Sequence, residues 1–246
     1  MAGGLAKQGM IPVLALYSTF LQRAYDQIMQ DIAMQNLHVV LAVDRAGLVG
    51  EDGETHHGVF DVGFLRQVPG MKILCPASCE ELKKMLRWAV QECDGPVAIR
   101  YPRGGDGDFR DSKWEKGAAV VSHRQGRDGA IVTYGNLVNN ALTAADILAE
   151  QGIHVSVIRL TQLAPLDFGA LKSALFGIEH VVIAEEANSG IHEAIAWELG
   201  NEHQFSCIDL RGEFVTHGSI AKLHEQYGLD AASIAGKIKE VLGNEN

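Results

Sequence analysis

Asp52 and His56 sit in a loop punctuated by Gly47, Gly50, Gly53 and Gly58, directly after the apolar run Val39 to Val43. A carboxylate beside an imidazole can fix the ring's tautomer or raise its pKa, which is what proton transfer requires. His57 follows, and on an extended backbone it points the other way. A metal reading of the loop lacks support, because neither H-x-x-x-H nor H-E-x-x-H spacing occurs and loop aspartates commonly make turns; no residue of the chain is assigned to a metal. Three arginines join this picture: Arg45 ends the run at Val43, and Arg100 and Arg103 end a second apolar run at Pro96 to Ile99. With Tyr17, which closes an apolar stretch from Ile11, they bring an aromatic hydroxyl and planar guanidinium forks to one sheet edge, a pattern suited to phosphate. The competing explanation is pairing of Arg45 with Asp44 or Asp61, and of Arg100 with a nearby carboxylate.

Phe20 and Arg23 lie three apart in the first turn of a helix that follows Tyr17, and can point into the same site; on the residues alone a merely solvated helix start is the better explanation. In the second half, Glu185-Glu186-Ala187-Asn188-Ser189-Gly190 follows a buried run, and Phe214-Val215-Thr216-His217-Gly218 resembles it in composition. Either is a functional loop or ordinary helix-start chemistry.

The elements that position these groups are short strands alternating with helices. Strands are expected at Ile11–Tyr17, Val39–Val43, Met71–Cys75 and Pro96–Tyr101. Thr19-x-x-Gln22 reads as a capping box for a helix reaching about Gln35, with Leu21, Ala24, Tyr25, Ile28 and Ile32 on its core face. Ser78–Gln91 is a second helix, with Cys79, Leu82, Met85, Leu86 and Val90 inward. A second set follows: strands at Ala130–Tyr134, His154–Ile158, His180–Ala184 and Phe205–Leu210, and helices at Asn139–Gln151, Phe168–Leu175, His192–Leu199 and Ala231–Val241. This is an α/β chain of two parallel-sheet domains, divided as residues 1–104, a linker at 105–117 and residues 118–246. Met1 to Gln8 reads as the last turns of a helix stopped by Gly9, so an element is expected to be missing before it.

Composition narrows the class. Of 246 residues, 47% are hydrophobic and 21% charged, as in globular proteins, and the net charge of −10 disfavours nucleic acid or an anionic membrane as partner. No apolar run approaches the ~18 residues that span a bilayer, and Met1 to Ala6 has no secretory signal pattern. Four cysteines without C-x-x-C spacing fit a reducing cytoplasm.

The motifs Y-S-T-F-L-Q-R-A-Y-D-Q (17–27), D-R-A-G-L-V-G-E-D-G-E-T-H-H-G-V-F-D (44–61), R-Y-P-R-G (100–104) and Y-G-L-D (227–230) resemble the 1-deoxy-D-xylulose-5-phosphate synthases, thiamine-diphosphate enzymes of the transketolase type. The likeness covers nearly the whole chain, and only the C-terminal half of that family. It implies a pyrimidine-binding domain lacking its first elements, followed by a transketolase C-terminal-type domain. It implies condensation of pyruvate with D-glyceraldehyde 3-phosphate with loss of CO₂, feeding isoprenoid, thiamine and pyridoxal synthesis. On the same basis Phe20 packs on the aminopyrimidine with Arg23 beside it; Tyr17, Arg45 and Arg103 hold the substrate phosphate; and Asp52 and His56 are the catalytic polar groups. Thiamine diphosphate is the implied cofactor. Its Mg²⁺ ligands, its diphosphate site and the family's catalytic glutamate are expected in an N-terminal half upstream of Met1, leaving this chain inactive alone and a homodimer. Gly105-Asp106-Gly107 with Asn139-Asn140 mimics the family's G-D-G…N-N metal motif, but Phe109-Arg110-Asp111-Ser112-Lys113 follows it where a helix is needed, so it is coincidental. The loop after Glu185-Glu186 is shorter than the family's. Two other readings stay open: one subunit of a split thiamine-dependent enzyme, and a 2-oxoacid dehydrogenase E1 β-type subunit.

Overall fold

The structure, a computed structural model, describes residues 1–110, 114–188 and 190–243. Ala2–Lys7 (α1) leads into β1 (Val13–Tyr17), and a long helical segment then changes pitch three times: α2 (Ser18–Leu21), a 3₁₀ turn (Gln22–Ala24), α3 (Tyr25–Gln27) and a π-helical stretch (Ile28–Ala33). Leu21, Ile28 and Ile32 are buried as the periodicity requires. The capping box does not form. The helix starts two residues early, at Ser18 with Tyr17 as its cap, so Thr19 lies inside the first turn and its hydroxyl donates to the Thr55 carbonyl instead.

The first half continues with β2 (Val40–Asp44), α4 (Asp61–Leu65), β3 (Lys72–Leu74), α5 (Cys79–Gln91) and β4 (Val97–Tyr101). Val40 to Val43 are buried in the middle of the sheet, as a continuous apolar run in a parallel strand demands. The second half contains β5 (Val120–Arg124), β6 (Gly129–Tyr134), α6 (Val138–Ala149), β7 (Val155–Leu160), β8 (Gln162–Ala164), α7 (Phe168–Ala174), β9 (His180–Ala184), α8 (His192–Leu199), β10 (Gln204–Ile208), α9 (Ile220–Tyr227) and α10 (Ala231–Gly243).

Two five-stranded sheets result, ordered β1-β2-β4-β3-β8 and β10-β9-β6-β7-β5. All neighbours are parallel except β8 on β3 and β5 on β7. The parallel sheets match the sequence expectation, and the two antiparallel edges refine it. Neither edge strand carried a strong signal: β8 has three residues, and β5 ends in Ser122-His123-Arg124 beside a polar stretch. Because β8 comes from the second half yet completes the first sheet, the halves interlock, and one apolar cluster joins Ile73 and Cys75 to Tyr134, Ile158 and Leu163. Among the described residues no helix is long and apolar enough to cross a membrane.

The start of α5 departs from the expected inner face. Glu81, Met85 and Ala89 are buried, whereas Cys79 is exposed. Ser78 caps the helix by accepting from the Glu81 N–H at 3.2 Å, and the Glu81 carboxylate accepts from Ala77 N at 2.9 Å. Its other oxygen meets Arg159 of β7 at 2.5 Å, with both side chains fully buried. Arg159 also donates to His123 at 3.0 Å, while its Nη1 has no partner. A buried ion pair gains little over an apolar replacement, but breaking it strands a charge. Arg159→Met alone is therefore expected to cost about 3–5 kcal/mol in urea unfolding, and the double variant Glu81→Met/Arg159→Met to recover most of that loss.

Candidate functional site

The site grows from the C-terminal end of β2. Arg45 adopts a left-handed backbone, φ +58°, which lets Ala46 N donate to the Tyr101 carbonyl of β4 at 3.0 Å. Gly47 and Gly58 then exchange two backbone hydrogen bonds of 2.8 Å and close the loop into a ring. Gly58 admits no side chain: a Cβ would stand 2.2 Å from the Arg45 carbonyl oxygen and 2.7 Å from Ser18 Cβ. A 3₁₀ turn at Gly50–Asp52 presents the acidic groups, and His56 N returns to the Gly53 carbonyl.

On this frame six of the seven expected site residues meet. The Arg45 guanidinium lies 3.9 Å over the Tyr17 ring, and Tyr17 stacks on Phe20 with ring centres 5.3 Å apart and planes 6° from parallel. His56 meets Phe20 edge-on at 5.5 Å. Asp52 lies between two arginines, 3.3 Å from Arg103 and 3.9 Å from Arg45; Arg103 also donates to the Val49 carbonyl at 3.1 Å. Phe20 keeps 45% of its surface exposed. Arg23 is exposed on the 3₁₀ turn and takes part in none of these contacts.

Two expectations need correction. Asp52 does not orient His56: its ion pairs run to the arginines, and the His56 Nδ1 meets the Thr55 hydroxyl at 2.9 Å. The turn back to Gly53 sets the imidazole on the aromatic side of the loop. The three arginines also part company. Arg45 does pair with Asp44, at 2.5 Å, and still faces Asp52. Arg100, inside β4, points into the core, where Asp61 takes it with contacts of 3.0 and 3.2 Å. Burial works against the Arg100 charge, yet Asp61 holds its pKa well above the ordinary value.

The second domain buttresses the loop, which sequence alone left undecided. Glu186 accepts from Leu48 N at 3.2 Å and pairs with His224; Gly47 leaves room for it, since a Cβ there would lie 2.2 Å from its carboxylate oxygen. Asn188 N donates to the Val59 carbonyl at 2.8 Å. His57 accepts from Val49 N and its Nε2 reaches the Thr216 carbonyl, both at 3.1 Å. Within the motifs at 185–190 and 214–218, Glu186, Asn188 and Thr216 are thus props for the loop; Ser189 lies outside the described residues. Gly105-Asp106-Gly107 and Asn139 of α6 do approach one another, but their side chains bond to backbone: Asp106 accepts from Cys79 N at 2.6 Å and Asn139 from Phe109 N at 2.7 Å. Asp111, Ser112 and Lys113 lie outside the described residues. A cleft of about 550 Å³ between Lys172, Phe176 and His203 opens at the N-terminal ends of β9 and β10, the opposite end of the strands from Glu186.

Comparison with known proteins places the fold. Residues 1–105 match the transketolase pyrimidine-binding domain, and residues 117–234 the transketolase C-terminal domain. Among curated relatives, the 1-deoxy-D-xylulose-5-phosphate synthase of Chlorobium luteolum is 43% identical over 250 residues, covering 97% of this chain and 39% of the relative. That of Chlorobaculum tepidum is 44% identical over 247 residues, with the same coverage. The chain therefore spans about two fifths of the length of the curated relatives it matches. Among solved structures, one described as a split gene transketolase, inactive beta4 tetramer, superposes with a TM-score of 0.88 at 27% identity, covering all of this chain and 80% of that one. A transketolase variant from Pichia stipitis shares the fold at a TM-score of 0.80 and 17% identity, covering 94% of this chain and 34% of that one.

Burial of His57 between the domains sets a pH dependence. Burial lowers its pKa, outweighing the Thr216 hydrogen bond and the nearby carboxylates, which raise it. The unfolded chain takes up this proton near pH 6.5, and the folded chain only at lower pH. Stability is therefore present above that value and lost as pH falls through the folded pKa. Replacing His57 by Gln removes the titration. Urea unfolding between pH 7.5 and 5 should show the wild-type chain losing more stability than His57→Gln, whatever their difference at pH 7.5.

Proposed function

We propose a function from one premise: the chain belongs to the transketolase family, as a pyrimidine-binding domain followed by a C-terminal domain. It is homologous to thiamine-diphosphate-dependent transferases, and our reading is that it forms the C-terminal portion of a 1-deoxy-D-xylulose-5-phosphate synthase. The substrates are then pyruvate and D-glyceraldehyde 3-phosphate, joined with loss of CO₂. The observation that carries this is the convergence of Arg45 and Arg103 on Asp52 beside the Tyr17–Phe20–His56 aromatic cluster.

Each residue takes a role its surroundings support. Arg45 and Arg103 bind the substrate phosphate, with the Tyr17 ring supporting the Arg45 guanidinium; Asp52 holds the two forks aligned in the ligand-free chain. His56 lies edge-on to Phe20 and supplies a proton to the aldehyde oxygen as the new carbon–carbon bond forms. Phe20 suits a flat heteroaromatic ring, because Tyr17 backs one side of it and nearly half of it remains exposed; with Arg23 it would hold the aminopyrimidine. Thiamine diphosphate, when bound, supplies the nucleophilic carbon and the electron sink. Its diphosphate and Mg²⁺ sites belong, in this proposal, to an N-terminal polypeptide, and residues 105–117 divide the two domains present.

A split enzyme is the form we favour, with this chain as a homodimer-forming subunit in a reducing cytoplasm. The likeness to a split gene transketolase over the whole chain supports the first point, and four free thiols the last. The chain alone should give no synthase product with both substrates, thiamine diphosphate and Mg²⁺. Phosphate recognition is testable on the chain itself: calorimetric titration with D-glyceraldehyde 3-phosphate should show Arg103→Ala weakening binding at least tenfold, a loss of about 1.4 kcal/mol or more. Arg23→Ala should leave that affinity unchanged, and equal affinity of Arg103→Ala and wild type would overturn the assignment.

A further inference from the structure

Away from this loop, the ends of β9 and β10 and the start of α8 bring together a carboxylate, an imidazole and a thiol. The candidate ligand atoms of Glu185, His192 and Cys207 all lie within 4.8 Å of one another. His192 Nδ1 is 2.5 Å from the Glu185 carboxylate and 4.0 Å from that of Asp209, and the Cys207 thiol is 4.0 Å from Glu185. Three donor groups of N, O and S type thus face one small volume, with Asp209 beside His192 at its edge. We propose that Glu185, His192 and Cys207 form a divalent-metal site suited to Zn²⁺, with Asp209 or water completing a tetrahedron.

The donor set selects the ion. Zn²⁺ takes thiolate, imidazole and carboxylate together at about 2.0–2.3 Å, whereas Mg²⁺ and Ca²⁺ prefer oxygen alone. The supporting contacts are in place as well. Tyr134 donates to Glu185 Oε2 at 3.1 Å and Ile191 N to the same oxygen at 2.9 Å, which leaves Oε1 facing His192 and Cys207. Such contacts orient metal ligands. Without an ion, His192 pairs with Glu185 and the Cys207 thiol lies beside the same carboxylate. An ion replaces the proton shared by His192 and Glu185 and the thiol proton, both of which pass to solvent. Access is open, because Cys207 and Asp209 line a cleft of about 440 Å³ with Arg211, Tyr227, Lys237 and Glu240. The ion would staple the loop after β9 to β10.

The test uses the whole chain, stripped with a chelator. Titration with Zn²⁺ should reach one ion per chain, and Co²⁺ in its place should give a thiolate-to-metal charge-transfer absorption. Cys207→Ser should abolish that absorption and weaken Zn²⁺ at least tenfold, and His192→Gln should weaken it comparably. Cys79→Ser, which alters an exposed thiol elsewhere, should change neither. In the unmutated chain Zn²⁺ should also slow alkylation of Cys207 at least tenfold, read by mass spectrometry, which keeps the test independent of variant folding. No saturable binding, an absorption that survives Cys207→Ser, or unchanged alkylation of Cys207 would each overturn the site and leave His192 as a simple ionic partner of Glu185.

Discussion

The loop after β2 depends on the second domain, which accepts one of its buried N–H groups directly and holds in place the imidazole that accepts another. Leu48 and Val49 are almost wholly buried, and their N–H groups have no strand to pair with. Glu186 accepts the first and His57 the second. A buried N–H left unpaired costs about 1–3 kcal/mol, so the contacts are a requirement of the loop rather than an ornament. His57 extends the same logic, since its other nitrogen reaches the Thr216 carbonyl. The C-terminal domain therefore carries a direct duty toward the site although none of its side chains joins the Tyr17–Arg103 cluster: it sets the loop on which Arg45, Asp52 and His56 stand.

Charge at a strand end had two outcomes, and strand position decided between them. Arg100 belongs to β4 itself, paired in register with Val43, so its side chain is enclosed by the sheet and by Tyr134 of the second domain. There a guanidinium needs a buried partner, which Asp61 provides. Arg103 lies beyond the strand, is free to bend back over the loop, and meets the Val49 carbonyl and Asp52. Arg159 repeats the first outcome at the other side of the domain contact, with Glu81 as its partner. Two buried ion pairs thus flank the join between the halves, while the arginines near solvent remain available to a ligand.

Most of the alternating α/β pattern was legible, because buried parallel strands such as Val40 to Val43 and His180 to Ala184 stand out as apolar runs. What escaped were elements fixed by distant partners. β5 and β8 exist through antiparallel pairing with β7 and β3, and α9, capped by Ser219 and closed by Gly228 at φ +73°, was announced only by its caps. At the site, residue types and strand ends pointed to Tyr17, Arg45 and Arg103, and the resemblance added Phe20. The partner of His56 was not legible, since a turn at Gly53 decides it. Nor were the props at Glu186, Asn188 and Thr216, which are more than a hundred residues away along the chain. The Glu185–His192–Cys207 cluster was hidden for a different reason: its members lie on three elements whose packing brings them together.

The position of Asp52 bears on how such a site can work at all. Two guanidinium groups held near each other repel, and an empty phosphate site built from them would tend to splay. Asp52 offsets that charge and keeps both forks turned inward. It does so weakly, because Arg45, Asp52 and Arg103 retain 25%, 31% and 43% of their side-chain exposure, and pairs so well solvated contribute only about 0–1 kcal/mol. Arg45 is fixed instead by its left-handed backbone, a conformation costing about 1–2 kcal/mol for a non-glycine residue, and by the Tyr17 ring beneath it. Rigid placement of the cation and weak attachment of its counter-ion belong together. In the function proposed above, a phosphate dianion, with more charge and three acceptor oxygens, would displace Asp52 at small cost and find the forks already aligned.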